Sequence, residues 1–127
     1  MNAPVVATKG SVLLVDDDLD IREIVGEVLT DAGYRVVAAS NGAEAFDILG
    51  SCHPDLILLD LNMPVMSGQQ FRKKQLGDAD LAAIPTVVMT AVARLWELAD
   101  ELASADVLAK PLDLGSLLAV VGRYCHA

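Results

Sequence analysis

No apolar run in this 127-residue chain approaches the roughly 20 residues that a helical membrane span requires. Its 54% hydrophobic content and mean hydropathy of +0.45 must therefore form a protein interior. Basic side chains are scarce, 9 against 18 acidic ones, and the resulting formal charge of −9 opposes a phosphate backbone or an anionic lipid face. Neither direct nucleic-acid binding nor membrane association is expected. Cysteine is nearly absent: Cys52 and Cys125 lack CxxC spacing and read as small buried hydrophobes in a reducing compartment. The segment Met1 to Gly10 has one lysine but no long apolar stretch and no A-x-A pattern, which argues against secretion and for a cytoplasmic location. No internal repeat, linker or low-complexity tract interrupts the chain, so residues 1–10 are expected to be a flexible tail and residues 11–127 one domain.

What the chain does contain is an alternation of short apolar runs with amphipathic stretches, the pattern of βα units feeding a parallel sheet. Strands are expected at Val12 to Val15, Arg35 to Ala38, Leu56 to Leu59, Thr86 to Met89 and Val107 to Ala109. The first, third and fourth are continuously apolar, as strands covered on both faces should be. Between them the period becomes helical. Ile21, Ile24, Val25, Val28 and Leu29 form one stripe ending before Gly33, which suits a helix C-terminus. Asn41 with Glu44 resembles a capping box opening a second helix with Phe46 and Leu49 on its buried face. A third helix, around Gln69 to Leu76, is weakly patterned, with Phe71 and Leu76 as its only large hydrophobics. Leu95, Leu98, Ala99 and Leu102 mark a fourth, and Leu114, Leu117, Leu118, Val121 and Cys125 a fifth begun by Asp113. The expected fold is a five-stranded, doubly wound α/β sandwich with five helices, whose function should gather beyond the carboxyl ends of its strands.

Polar residues stand at those ends. The first strand runs into Asp16-Asp17-Asp18, the third into Asp60, the fourth into Thr90 and the fifth into Lys110. Taken singly each has a bland reading: Asp18 as a helix N-cap, Thr90 as a turn hydroxyl, Lys110 as a solvated ammonium. If strands one and three are neighbours, Asp16, Asp17 and Asp60 converge, and such carboxylates repel unless a proton or cation intervenes. An all-oxygen site without histidine or thiolate suits a hard ion such as Mg²⁺, which leaves coordination open for a phosphoryl oxygen. Lys110 and Thr90 would then supply a cation and a hydroxyl donor to the remaining oxygens.

The residues Leu14-Val15-Asp16-Asp17-Asp18, Leu59-Asp60-Leu61-Asn62-Met63-Pro64 with Gly68, Met89-Thr90-Ala91 and Lys110-Pro111 resemble the receiver domain of two-component response regulators. The likeness runs from about Ser11 to Cys125. It implies a flavodoxin-like sheet of strand order 2-1-3-4-5. It implies, too, a signalling switch rather than a conventional enzyme, one that catalyses its own aspartyl phosphorylation and dephosphorylation. Asp60 would accept a phosphoryl group from a phosphohistidine on a sensor histidine kinase or histidine phosphotransfer protein. Asp17, Asp60 and the backbone carbonyl of Asn62 would coordinate Mg²⁺, with Asp16 helping through water. Thr90 would move toward the phosphorylated Asp60, and Lys110 would pair with the phosphoryl group. Pro64 belongs to the matched motif, the Lys110-Pro111 peptide is expected to be cis, and Gly68 should permit a turn that a Cβ would obstruct. A downstream protein would read the surface of the fourth helix, fifth strand and fifth helix.

The sequence departs from that pattern in places. Receivers usually carry an aromatic three residues before the lysine, where this chain has Val107, so switching is expected to be weak or to travel through backbone movement. The interval from Thr90 to Lys110 is slightly short, implying a trimmed fourth helix or preceding loop. Val92, two residues past Thr90, cannot orient a hydrolytic water, so slow self-dephosphorylation is expected. Trp96 reads as a half-buried helix flank, and His53 and His126 as solvated. Two rival functions remain open at this point: an Mg²⁺-dependent aspartyl-phosphate phosphohydrolase, disfavoured because Asn62 cannot act as the general acid such enzymes usually place there, and a phosphorylation-independent docking module.

Overall fold

The apolar runs become strands β1 (Ser11–Val15), β3 (Leu56–Asp60) and β4 (Thr86–Thr90), buried almost throughout because helices cover both faces of their sheet. A computed structural model describes residues 9–61, 63, 66–91 and 104–125. With β2 (Arg35–Ala39) and β5 (Asp106–Ala109) these strands form one parallel sheet of order β2-β1-β3-β4-β5. This is the doubly wound, flavodoxin-like topology expected from the sequence.

The described helices are α1 (Leu19–Asp31), α2 (Gly42–Leu49), α3 (Gly68–Leu76), the single turn α4 (Ala79–Ala82) and α5 (Leu114–Tyr124). The turn α4 was not anticipated, and the helix expected over Leu95 to Leu102, with Trp96 on its flank, lies outside the described residues. Strand alternation splits the core in two. Val12, Leu14, Leu56, Leu58, Val87, Met89 and Leu108 pack under α1 and α5, whereas Leu13, Val15, Ile57 and Leu59 pack under α2 and α3. A one-residue slip of any central strand would exchange these sets, so the two-sided cover fixes the register.

Local chemistry ends the helices where the sequence places their signals. The Asp18 carboxylate accepts from the amides of Asp20 and Ile21 to open α1, and Gly33, at φ +102°, follows its C-cap. Asp113 accepts from the Ser116 amide to open α5. At α2 only half of the expected capping box forms. Asn41 accepts from the Glu44 amide, but the Glu44 carboxylate accepts from Ser40 Oγ instead of turning back. The complete reciprocal box is at α3, between Ser67 and Gln70.

Other expectations need correction. Ile24 and Leu114, placed on buried stripes, are 54% and 42% exposed, because both line an open apolar depression that α1 and the start of α5 leave uncovered. Cys125 is buried as expected, while Cys52 is only half-buried and His53 is exposed. Lys9 and Gly10, at the end of the expected tail, hydrogen-bond to Gly33 and Arg35. Residues 1–8 and His126 lie outside the described residues.

Candidate functional site

In the β1–β3 register Val15 faces Leu59, which makes Asp16 and Asp60 the next residues along two adjacent strands. Asp16, Asp60 and Lys110 each stand two residues beyond Leu14, Leu58 and Leu108, all members of the core under α1 and α5. Alternation therefore sends all three side chains toward the same side of the sheet. Carboxylate oxygens of Asp16, Asp17 and Asp60 come within 4.8 Å of one another. Asp16 is fully buried, Asp60 nearly so, and Asp17 exposed, so the cluster opens to solvent on one side.

Lys110 supplies positive charge to this cluster. Its Nζ lies 2.8 Å from Asp16 Oδ2 and 3.3 Å from Asp60 Oδ1. Burial alone would pull the ammonium below its usual range, but the hydrogen bond and charge of Asp16, together with Asp60, outweigh it and hold the group above 10.5. The Lys110-Pro111 peptide is cis. Thr90 ends β4 fully buried, and its carbonyl accepts from the Lys110 amide at 3.0 Å, which ties the ends of the fourth and fifth strands together.

Gly68 acts by close approach rather than by an unusual backbone conformation. A Cβ there would stand 2.5 Å from the Asp60 carbonyl oxygen and 2.6 Å from Leu61 Cα. The Gly68 amide also donates to the Leu61 carbonyl at 3.0 Å, so the start of α3 is pressed against the end of β3. Val107 is 9% exposed and pairs with Val88, packing as an ordinary edge-strand residue. Asn62, Pro64 and Val92 lie outside the described residues.

One residue that no sequence signal marked, Arg22, is brought to the site by the fold. This half-buried residue of α1 donates from Nη1 to the main-chain carbonyl of Asp16 at 2.8 Å. Beside the cluster lies an apolar depression of about 210 Å³, lined by Ile21, Ile24, Val25, Pro111, Leu112 and Leu114 with the stem of Lys110. Three oxygen donors bearing negative charge, with no nitrogen or sulfur among them, fit a hard divalent cation such as Mg²⁺.

Comparison with known proteins agrees with this geometry. A family model described as the response regulator receiver domain matches residues 12–122. Sporulation initiation phosphotransferase F of Bacillus subtilis is 34% identical over 116 residues, covering 89% of this chain and 91% of that protein. Some curated relatives are longer: of the probable transcriptional regulators ycf27 of Guillardia theta and Cyanophora paradoxa, 38% and 37% identical, the chain spans about two fifths of the length. Among solved structures, chemotaxis protein CheY4 of Vibrio cholerae superimposes with a TM-score of 0.85 at 32% identity, over 93% of this chain and 99% of that one. The receiver domain of sensor histidine kinase PA1611 from Pseudomonas aeruginosa, described with a magnesium ion in its active-site cleft, gives 0.84 at 25% identity, over 94% and 98%. With its strand order, its acidic cluster and a family match over most of its length, the chain belongs to the response regulator receiver domain family.

Proposed function

We propose that this chain is a phosphoacceptor signalling domain of a two-component system or phosphorelay, in which Asp60 takes a phosphoryl group from phosphohistidine. The observation that carries the reading is the meeting of Asp16, Asp17 and Asp60 around a space where the Lys110 ammonium already contacts Asp60. An Asp60 carboxylate oxygen attacks phosphorus, the P–N bond of the donor breaks, the imidazole leaves with a proton from solvent, and an acyl phosphate forms. As a carboxylate the nucleophile needs no base. Asp16, Asp17 and Asp60 would hold Mg²⁺, with the Asn62 carbonyl as a further ligand. When bound, the ion supplies the positive charge that lets a phosphoryl group approach three acids.

Lys110 pairs with the oxygens of the transferred group, and Thr90 donates its hydroxyl to them. The added charge redistributes these two side chains between two arrangements. Because the Thr90 carbonyl holds the Lys110 amide, a shift of either end of the β4–β5 pair is felt by the other. A downstream protein would read the change on the segment Leu95 to Leu102 expected from the sequence to be helical, on β5 and on α5, with Val107 transmitting it through the strand rather than by rotation of a ring.

The donor would be a sensor histidine kinase or a histidine phosphotransfer protein, and the apolar depression beside Lys110, lined in part by exposed Ile24 and Leu114, favours a donor that presents aliphatic side chains around its phosphohistidine. None of the described helices is long and apolar enough to cross a membrane, and a cytoplasmic site of action is part of the proposal. The test is to treat the protein with Mg²⁺ and a small phosphoramidate, reduce the product with borohydride, and map the peptides. Homoserine at position 60 is the expected result. Homoserine at 16 or 17, or none, contradicts the assignment.

A further inference from the structure

Arg22 makes a contact that ordinary charge balance does not account for. Four carboxylates lie close by in sequence, at Asp17, Asp18, Asp20 and Glu23, yet among the described residues the guanidinium forms no ion pair and donates instead to the Asp16 carbonyl. The Arg22 amide makes the first helical hydrogen bond of α1, to the Asp18 carbonyl. Its side chain therefore turns back over the N-cap to reach the strand end.

The consequence is a closed frame around one residue. The Asp16 amide donates to the Ala39 carbonyl, its carbonyl accepts from Arg22, Oδ1 accepts from the Asp18 amide, and Oδ2 accepts from Lys110. Asp16 and Asp17 share the peptide whose oxygen Arg22 holds. Asp17 is exposed and lacks the packing that orients Asp16, so the direction of its carboxylate depends on that peptide plane.

We propose that Arg22 is a positioning residue for the divalent-cation site, fixing the Asp16–Asp17 peptide so that both carboxylates converge with Asp60. The inference rests on the Mg²⁺ site proposed above, and the two separate by the sign of one effect. As a positive charge near a cation site, Arg22 opposes Mg²⁺, so its removal should strengthen binding if charge is all it contributes. As an anchor of the ligand-bearing backbone it favours Mg²⁺, and outer-shell partners of this kind are worth about 10- to 100-fold in metal affinity.

The experiment is calorimetric titration of MgCl₂ into the wild type, Arg22→Met and Arg22→Lys, each also melted without metal to compare their folds. We expect Arg22→Met to weaken Mg²⁺ affinity about 10-fold, with Arg22→Lys, which keeps the stem and one donor, falling between it and the wild type. An Arg22→Met protein that binds Mg²⁺ as tightly as the wild type, or more tightly, overturns the positioning role while leaving the site itself intact. A wild type that takes up no Mg²⁺ overturns both.

Discussion

Lys110 Nζ lies 2.8 Å from Asp16 Oδ2, joining two residues 94 positions apart across the ends of strands that are not neighbours in the sheet. The pair compensates a carboxylate that is wholly removed from water. Removing the cation leaves that charge unpaired, which costs several kcal/mol at a fully buried site and less here because the lysine side chain is 19% exposed. Lys110→Met is therefore expected to lose about 2 to 3 kcal/mol in metal-free urea denaturation. Saturating Mg²⁺ should return most of the loss, since a dication then faces the same carboxylates. A loss that Mg²⁺ does not diminish would contradict the shared electrostatics.

Two glycines should respond oppositely to the same substitution. At Gly68 the added methyl meets backbone atoms of Asp60 and Leu61, which cannot swing aside as a flexible side chain would. Gly68→Ala is expected to cost about 1 to 3 kcal/mol and to weaken Mg²⁺ binding, because the displaced segment carries Asp60. A methyl added at Gly26, inside α1, would have nothing within 4 Å, and Gly26→Ala should stabilise by about 0.5 to 1 kcal/mol. Thermal melts and calorimetry of both variants read the contrast.

The polar face of α3 predicts a further large effect. Gln75 Nε2 donates to the carbonyls of Leu81 and Ile84 and to Thr86 Oγ1, while its Oε1 accepts from Arg72. Burial lowers the Arg72 guanidinium from its usual value. Gln75→Leu matches the volume but strips these partners, and denaturation should show a loss of about 2 to 4 kcal/mol. A near-neutral change would mean that water takes over the bonds.

That face also explains where sequence reading faltered. The buried stripe of α3 is Gly68, Phe71, Arg72 and Gln75, at the right helical spacing but with only one large hydrophobe. Leu76, the other large hydrophobe of this weakly patterned segment, is 44% exposed. Hydrophobic periodicity is silent where a core position is polar and paired. The central strands were legible because being covered on both faces demands unbroken apolar runs. The acidic cluster was legible because its members end those strands. Arg22 was not, since a donor to a main-chain carbonyl leaves no pattern in the side chains around it, and the exposure of Ile24 and Leu114 comes with a depression lined by two separate helices, which neither helix encodes alone.

Cys125 supplies a pH dependence remote from the site. Burial, aided by the Asp55 charge, pushes its thiol from 9.0 up to about 11. The folded state holds this proton more tightly than the unfolded state, so the stabilisation is fully present below pH 9 and is lost as pH rises toward 11, about 2 to 3 kcal/mol at the limit. The stability difference between the wild type and Cys125→Ala should therefore shrink between pH 8 and pH 10.5. In thiol-labelling kinetics at pH 8, half-buried Cys52 should react first and Cys125 only as the chain opens. Equal rates for the two thiols would contradict the burial.

Intact-mass measurement after incubation with a small phosphodonor bears most directly on the claim that three separated acids build one phosphoacceptor site. Wild type with Mg²⁺ should gain the mass of a single phosphoryl group, and should gain none when the ion is chelated or in Asp60→Asn. Equal labelling of wild type and Asp60→Asn, or labelling indifferent to Mg²⁺, would contradict it.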